Sequence, residues 1–265
     1  MAKIEIKDLY FDYVGKKTRF GALEDINLEI NEGEFVCILG ASGCGKSTLL
    51  SILNGLNKAK SGTILIDGKE VSGPGVDRAV VFQNYSLFPW QTVRENIKFG
   101  AKQSAKRKQF SKAEREKKID EYVDAVGLAN AKNKYPFELS GGMQQRVAIA
   151  RALALEADIL LLDEPFSAID PRLRSELQEL VSKLSKEHNK TVVFITHDID
   201  EAILLADRIV VMEPKHIRSI LNVNFNYPRK RDNLVYEPEY EKLHRQLISL
   251  FYEDVENNID GEVRL

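Results

Sequence analysis

Residues 40–48 constrain the fold of this chain more than any other stretch. They read Gly-Ala-Ser-Gly-Cys-Gly-Lys-Ser-Thr and lie between an apolar run, residues 35–39, and a helix-forming run, residues 49–56. This order of strand, loop and helix lets backbone N–H groups converge on an anion at the positive end of the helix dipole. The sequence therefore predicts a phosphate-binding loop; the alternative is a glycine-rich turn that binds nothing.

A nucleoside triphosphate is the ligand that this loop pattern favours. We expect Lys46 to reach the β and γ phosphates as a point charge, and the Ser47 hydroxyl to ligate the accompanying Mg²⁺. The residues expected to contact the nucleotide in this loop are Gly40, Ala41, Ser42, Gly43, Cys44, Gly45, Lys46, Ser47 and Thr48.

Bulk properties narrow the class of protein. At 265 residues the chain is long enough for one large domain or two smaller ones, and its net charge of −2 gives no reason to expect nucleic acid as the main partner. The longest apolar runs, such as residues 159–162, are far shorter than the ~18 residues of a membrane span. The N-terminus lacks an apolar signal region, and Cys37 and Cys44 do not resemble a disulfide framework, so we expect a reducing cytoplasm.

Two acidic residues follow the apolar run at residues 159–162. Asp163 and Glu164 are difficult to explain as core residues, because an unpaired buried charge is costly. Asp163 is suited to hold Mg²⁺ through water, and Glu164 to orient and deprotonate an attacking water.

Two further candidates are expected near the same edge of the sheet, and a third lies before the phosphate loop in the sequence. His197 follows the β-branched run at residues 191–196 and is placed to contact a γ-phosphate, whereas His188, His216 and His244 have surface-like surroundings. Gln83 follows a predicted strand at residues 79–82 and could touch bound water or metal; an ordinary turn glutamine is the simpler alternative. Tyr13 is the aromatic best placed to stack on an adenine, although most strand aromatics are packing residues.

A second helix start has the features of an anion site. Ser140 is a good N-cap, and Gly141 and Gly142 open the first turn of a helix that continues through residues 147–155. The alternative is an ordinary capped helix, but the glycine pair lowers helix propensity and requires a compensating reason.

Residues 92–155 change to helical periodicity, which predicts a separate α-helical lobe. Its early part, residues 102–118, is rich in lysine and arginine; a solvated helix face is the simpler interpretation, and contact with an anionic surface is the alternative. Just before the lobe, Phe88, Pro89 and Trp90 form an apolar loop that is either a small core or a docking surface for another protein.

In this order, the motifs resemble those of the nucleotide-binding subunit of an ABC transporter, over about residues 3–225. The resemblance implies that residues 40–48 are the Walker A loop, and that Asp163 and Glu164 are the end of Walker B and the catalytic glutamate. It also implies that Gln83 is the Q-loop glutamine, which contacts the Mg²⁺ site, and that His197 is the switch histidine.

The same resemblance assigns the remaining motifs. It identifies residues 139–145 as the signature motif, residues 167–170 as the D-loop and Tyr13 as the adenine-stacking aromatic. Ile169 replaces the leucine usual in the D-loop, and Ala41 replaces the common proline of Walker A. Neither departure affects a catalytic role.

The implied fold is α/β, a P-loop NTPase core with an antiparallel β-layer and an inserted α-helical lobe. We expect residues 1–265 to form a single ABC ATPase domain. Within it, residues 1–91 and 156–225 would form the core and β-layer, residues 92–155 the helical lobe, and residues 226–265 a C-terminal tail with a helix.

The resemblance also implies partners. In the family two subunits pack head to tail, with Ser140, Gly141 and Gly142 of one subunit facing the γ-phosphate held by Lys46 of the other. Such an ATP-dependent homodimer lies at the cytoplasmic face of the plasma membrane as a peripheral protein. It would bind membrane permease subunits directly and an extracytoplasmic solute-binding protein indirectly, and no nucleic acid.

Two segments bear on the transported solute. Residues 87–93 and the tail around Pro228 and Arg229 are similar to the nitrate, sulfonate and taurine importer group, which implies a small solute such as one of these anions. A soluble ABC-type ATPase acting on nucleic acid or ribosomes is the alternative, but it would normally carry a coiled-coil insertion or tandem ATPase domains. A non-hydrolysing regulatory module would be expected to lack Glu164 or His197.

Overall fold

The structure, a computed structural model, describes the backbone of residues 2–15 and 19–262 and the side chains of residues 2–15 and 20–251. Its internal contacts define two compact units: a first unit, Met1–Gly73 with Val193–Leu265, and a second unit, Pro74–Val192. The predicted division at residues 91, 155 and 225 stays a prediction, and the last three residues of the predicted tail lie outside the described range.

The secondary structure alternates between strands and helices along most of the chain. The strands are β1 (Ala2–Val14), β2 (Arg19–Asn31), β3 (Phe35–Gly40), β4 (Ser61–Ile66), β5 (Lys69–Glu70), β6 (Arg78–Val81), β7 (Ile159–Asp163), β8 (Thr191–Thr196), β9 (Arg208–Glu213) and β10 (His216–Asn222). The α-helices are α1 (Lys46–Leu53), α2 (Val93–Gln103), α3 (Lys112–Ala125), α4 (Gly141–Ala154), α5 (Pro171–Glu187), α6 (Ile199–Leu205), α7 (Arg231–Leu234) and α8 (Pro238–Glu262). Short 3₁₀ helices occupy Ala105–Gln109, Ala129–Ala131 and Pro136–Glu138.

The first unit contains two sheets. One is antiparallel with strand order β2-β1-β4-β5, which confirms the predicted β-layer. The other has the order β10-β9-β3-β8, in which β3 and β9 are parallel. Every residue of β3 and β8 is buried, as expected for strands covered on both faces.

The second unit contains the parallel pair β6 and β7 together with helices α2 to α5. Thr92 caps the N-terminus of α2 and Ser111 that of α3, each with a capping box that satisfies the first backbone N–H groups. Arg94 joins the two helices by donating to Asp120 and Glu116 at 2.7 and 2.8 Å. These contacts confirm that the helical periodicity marks an inserted α-helical lobe.

The C-terminal segment differs from the sequence prediction. The polar run at residues 228–231 predicts a linker, but Arg229 donates to the carbonyl oxygens of Ile203 and Ala206 at the end of α6, at 3.1 and 2.5 Å. It also donates to the carbonyls of Val223 and Phe225. Burial lowers the pKa of Arg229. The polar run is therefore not a free linker, because Arg229 fastens it both to the chain just before it and to the end of α6.

Among the described residues, no helix combines the length and the apolar character needed to cross a membrane.

Candidate functional site

The phosphate-binding loop of the first unit joins β3 to α1. Gly45 precedes α1 with a φ of 115°, in the left-handed region that glycine adopts without strain. A Cβ atom at Gly45 would lie 2.7 Å from a methyl carbon of Leu23 and 2.8 Å from the Ala22 carbonyl oxygen. The turn into α1 therefore requires glycine for both its backbone conformation and its contact with β2.

Lys46 lies inside this loop. Its side chain is largely buried, and its Nζ atom donates to the carbonyl oxygens of Gly40 and Ala41, both at 2.8 Å. Ser47 is exposed in the first turn of α1. The loop thus places an ammonium group, a hydroxyl and the N-terminus of a helix within one short segment, which is the donor set that binds phosphate.

Within the phosphate-binding loop, the thiol of Cys44 has an altered pKa. Burial raises the pKa of its thiol, and the neighbouring Lys46 ammonium opposes that shift. Cys37, in β3, is also a buried free thiol, and burial raises its pKa well above the usual value. Both groups are therefore protonated and poorly nucleophilic near neutral pH.

Tyr13 and His197 belong to the same unit as the loop. The Tyr13 hydroxyl forms a 3.0 Å hydrogen bond with the Thr48 Oγ1 atom of α1, and 47% of the residue is exposed. His197 is exposed directly after β8, the neighbour of β3 in the sheet. The structure therefore joins Tyr13 to the loop helix and leaves its ring accessible.

The acidic candidates of the second unit lie at one edge of the β6–β7 pair. Val81 of β6 is paired with Leu162 of β7, so Gln83 and Glu164 each follow this register pair by two residues. Asp163 is buried, whereas Glu164 is half-buried and Gln83 is exposed in a turn. The parallel register thus brings Gln83 to the same sheet edge as both acids.

Glu164 has a backbone conformation that is rare for a residue other than glycine. Its φ is 45°, and such outliers persist only where surrounding contacts hold them. Its carbonyl oxygen accepts hydrogen bonds from the Ser167 hydroxyl at 3.1 Å and from the Gln145 side chain at 2.9 Å. The Gln145 Oε1 atom accepts from the Ala168 amide at 3.2 Å. One fully buried amide therefore fixes both ends of the 164–168 loop.

The Ser140 helix start packs against this same loop. Ser140 caps α4 by accepting a hydrogen bond from the Met143 amide at 3.3 Å. A Cβ atom at Gly142 would lie only 2.7 Å from the Ala168 carbonyl oxygen. Close packing therefore explains Gly142, while Ser140 and Gly141 are exposed and accessible to another molecule.

Arg151, also on α4, holds a second strained loop. It donates to the carbonyl oxygens of Tyr85 and Ser86 at 3.1 and 2.7 Å, and both acceptor residues have positive φ angles of 61° and 48°. Burial lowers the pKa of the Arg151 guanidinium. Sequence reasoning missed Arg151, which reads as an ordinary residue of a helix until its long-range partners are known. It included Gln145 in the signature motif but did not find its contact with the 164–168 loop.

The aromatic loop after Gln83 has one packed and one exposed ring. Phe88 packs against Phe99 with ring centroids 4.7 Å apart, and Trp90 lies 5.6 Å from Phe88. Trp90 is 70% exposed, so the core interpretation is wrong for this residue. Trp90 and Phe99 line a cavity of about 650 Å³ together with the charged side chains of α2.

The predicted residues therefore fall into two groups, one in each unit. Tyr13, the phosphate loop and His197 lie in the first unit, and Gln83, Asp163, Glu164 and residues 140–142 lie in the second. The roles assigned to them stay predictions.

Comparison with known families and sequences gives concordant matches. Residues 23–167 match the family model described as ABC transporter. The nitrate import ATP-binding protein NrtD of Synechococcus elongatus is 45% identical over 252 residues, which cover 92% of this chain and 91% of that protein. The bicarbonate transport ATP-binding protein CmpC of the same organism is 47% identical over 230 residues, but the match covers only 34% of its length and 86% of this chain.

Solved structures agree with these matches. The ATP-binding cassette MJ0796, in a dimeric post-hydrolysis state bound to ADP and Pi, is 34% identical with a TM-score of 0.76. A second dimeric structure of MJ0796, described as a bacterial ABC transporter cassette, has a TM-score of 0.77 at the same identity. Each covers 84% of this chain and is itself covered completely.

Proposed function

This chain belongs to the ABC transporter family of ATP-binding proteins, and we propose that it hydrolyses ATP to power the import of a small anion. The observation that carries this proposal is the phosphate loop with its buried Lys46, in a chain that matches an import ATP-binding protein over nine-tenths of both lengths. NrtD and CmpC are named for nitrate and bicarbonate, both small oxyanions. We therefore propose an oxyanion as the solute.

The nucleotide contacts proposed here follow from local geometry. Lys46 and the N-terminus of α1 bind the phosphates, because the loop gathers their donors at one point. Tyr13 stacks its exposed ring on the adenine, held in place by its hydrogen bond to Thr48. His197 contacts the γ-phosphate from the end of β8.

Glu164 is proposed as the general base. Its carboxylate follows the buried Asp163, and its left-handed backbone is fixed by Gln145 and Ser167, so the side chain has a restricted direction. Such a carboxylate can orient a water and accept its proton during attack on a phosphoryl group.

The residues present fit a Mg²⁺ ion that arrives with the nucleotide. Mg²⁺ is usually held by one or two carboxylates and by phosphate oxygens rather than by a cage of protein ligands. The described residues contain no cluster of three or more histidine, cysteine, aspartate or glutamate side chains suited to a metal. Asp163 and Gln83, which the β6–β7 register brings to one sheet edge, would hold the ion, which would offset charge on the phosphates.

We propose that a second copy of the chain completes the site. Ser140 caps the start of α4 while remaining exposed, so this helix terminus can receive the γ-phosphate bound to another subunit. The dimeric state of the MJ0796 cassette supports this arrangement.

The Trp90 cavity is the proposed contact with the permease. Trp90 is exposed beside a cavity of about 650 Å³, so its ring is suited to act as an aromatic anchor that binds a helix of another protein. We propose that the ATPase acts at the cytoplasmic face of a membrane, and that a solute-binding protein acts through the permease.

Substitution of Glu164, the proposed general base, tests whether the chain hydrolyses ATP by the proposed route. Glu164→Gln should retain ATP binding and slow turnover by ~10²-fold or more, the range expected for removal of a general base. Asp158→Asn is a matched control, because Asp158 is an exposed acid just before the opposite end of β7. Normal turnover in Glu164→Gln, or an equal loss in Asp158→Asn, would contradict the assignment.

Lys46→Ala tests the phosphate loop separately. It should weaken ATP binding, because the ammonium that contacts the phosphates is lost. Unchanged ATP affinity would contradict this role. Uptake of labelled nitrate or bicarbonate by cells that express the chain with its permease then tests the solute class.

A further inference from the structure

The second unit contains a cavity that none of the roles above uses. It has a volume of about 180 Å³ and lies among the 3₁₀ helix Ala105–Gln109, α3, the end of α4, β7 and the end of α5. Its floor is apolar, with side chains from Phe110, Tyr122, Leu153, Leu160 and Leu184. An apolar cavity of about 150 Å³ is enough to bind benzene, so this one has room for a single substituted ring.

The rest of the cavity lining is mainly cationic. Lys106, Lys118 and Lys190 line it, together with a single carboxylate, that of Glu156. Lys118 is 2.7 Å from the Glu156 carboxylate and lies over the Phe110 ring, so that carboxylate is already paired.

The other two ammonium groups, those of Lys190 and Lys106, are less strongly paired than that of Lys118. Lys190 donates to the main-chain carbonyl of Glu156 at 3.0 Å and lies 3.5 Å from the exposed carboxylate of Asp158. The Lys106 side chain forms no ion pair with any residue that the structure describes. Burial and the nearby Lys106 ammonium lower the pKa of Lys190, and the Asp158 carboxylate opposes that shift.

We propose that this cavity binds a small aromatic carboxylate, with the ring on the apolar floor and the carboxylate between Lys106 and Lys190. Such a ligand removes apolar surface from water, and it supplies an anionic partner for Lys106 and a second one, beside Asp158, for Lys190. A neutral ring satisfies only the first of these requirements. A free inorganic anion satisfies only the second.

The proposed site is separate from the acids assigned to hydrolysis. Leu160 lies near the start of β7 and Glu164 just past its end, and a strand rises about 3.3 Å per residue, so they are roughly 13 Å apart along the strand. The ligand should therefore not compete with nucleotide.

Fluorine NMR with 4-fluorobenzoate tests the proposal on the full chain. We expect binding in the millimolar range or tighter, since few atoms contribute, and at least about fivefold weaker binding of the neutral 4-fluorobenzamide. ADP should not displace the probe. Absence of binding, equal affinity for the amide, or displacement by ADP would overturn the proposal.

Three variants test whether 4-fluorobenzoate binds in this cavity. Lys106→Gln should weaken 4-fluorobenzoate binding about fivefold or more, because a charge-assisted contact is lost. Lys108→Gln is the matched control, since Lys108 is exposed on the same 3₁₀ helix but does not line the cavity. Leu153→Trp should fill the cavity and abolish binding.

Thermal unfolding of each variant separates loss of the site from loss of the fold. Lys106 is exposed, so Lys106→Gln should melt at the wild-type temperature even if Leu153→Trp does not. Wild-type affinity in Lys106→Gln, or an equal loss in Lys108→Gln, would refute the assigned position.

Discussion

The side-chain amide of Gln145 donates a 2.9 Å hydrogen bond to the main-chain carbonyl of Glu164, at a residue whose backbone is left-handed. The same side chain accepts from the Ala168 amide, so a helix residue fixes the loop that carries the proposed base. Gln145 has no exposed surface. Because an unsatisfied buried polar group costs about 1–3 kcal/mol, this contact is well placed to maintain a strained conformation.

Gln145→Ala should therefore reduce ATP turnover at least about tenfold, because the 164–168 loop loses hydrogen bonds that stabilise it by about 1–3 kcal/mol. ATP affinity should stay within about twofold of wild type. Steady-state hydrolysis and equilibrium binding of a fluorescent nucleotide measure the two effects. Gln144→Ala is the matched control, because Gln144 is bonded to the carbonyl oxygens of Pro136 and Leu139 instead. Equal loss of turnover in both variants would contradict a specific effect on Glu164.

ATP should drive dimerisation of the Glu164→Gln variant, which binds ATP but hydrolyses it slowly. Analytical ultracentrifugation should detect monomer without nucleotide and dimer with ATP. Adding Ser140→Arg should keep the protein monomeric, because a bulky cation replaces an exposed helix cap at the proposed phosphate contact. A Glu164→Gln protein that remains monomeric at saturating ATP would contradict completion of the site by a second copy.

Neither cysteine should react with maleimide in the native protein near pH 7. Both thiols are buried, and burial raises the pKa of each, so the reactive thiolate is scarce. Mass spectrometry should find no adduct in buffer and two adducts in denaturant. Rapid native labelling of Cys44 would show that the phosphate loop is more open than its contacts indicate.

The sequence predicted those parts of the fold and candidate site that depend on local patterns. The phosphate loop was predictable because its glycines, Lys46 and Ser47 lie between an apolar run and a helix-forming run, and the acids because a charged pair follows an apolar strand. The register of β6 against β7 then confirmed that Gln83 shares the sheet edge of Glu164.

Long-range contacts were not predictable in the same way. Arg151 and its acceptors Tyr85 and Ser86 are more than sixty residues apart, and nothing in the helix around Arg151 marks it as different. Arg229 lies in a polar run that is typical of a linker, yet its guanidinium donates hydrogen bonds to carbonyl oxygens on separate segments. The exposure of Trp90 likewise depends on how α2 packs against Phe88.

Trp90→Ala should weaken binding to the permease at least about tenfold, because aromatic anchors typically carry ~2 kcal/mol or more of an interface. The variant should melt near the wild-type temperature and hydrolyse ATP normally in isolation, since Trp90 is 70% exposed. Co-purification with the permease, thermal unfolding and isolated ATPase rate measure the three effects.

Phe88→Ala provides the comparison, because Phe88 packs against Phe99 and lies under the Arg151 guanidinium. Removing its half-buried ring should lower the free energy of unfolding by about 2 kcal/mol. The two variants should thus separate partner binding from stability, although their rings are adjacent. If Trp90→Ala co-purifies normally, or is destabilised as much as Phe88→Ala, the exposed ring serves the fold of the lobe and the permease contact lies elsewhere.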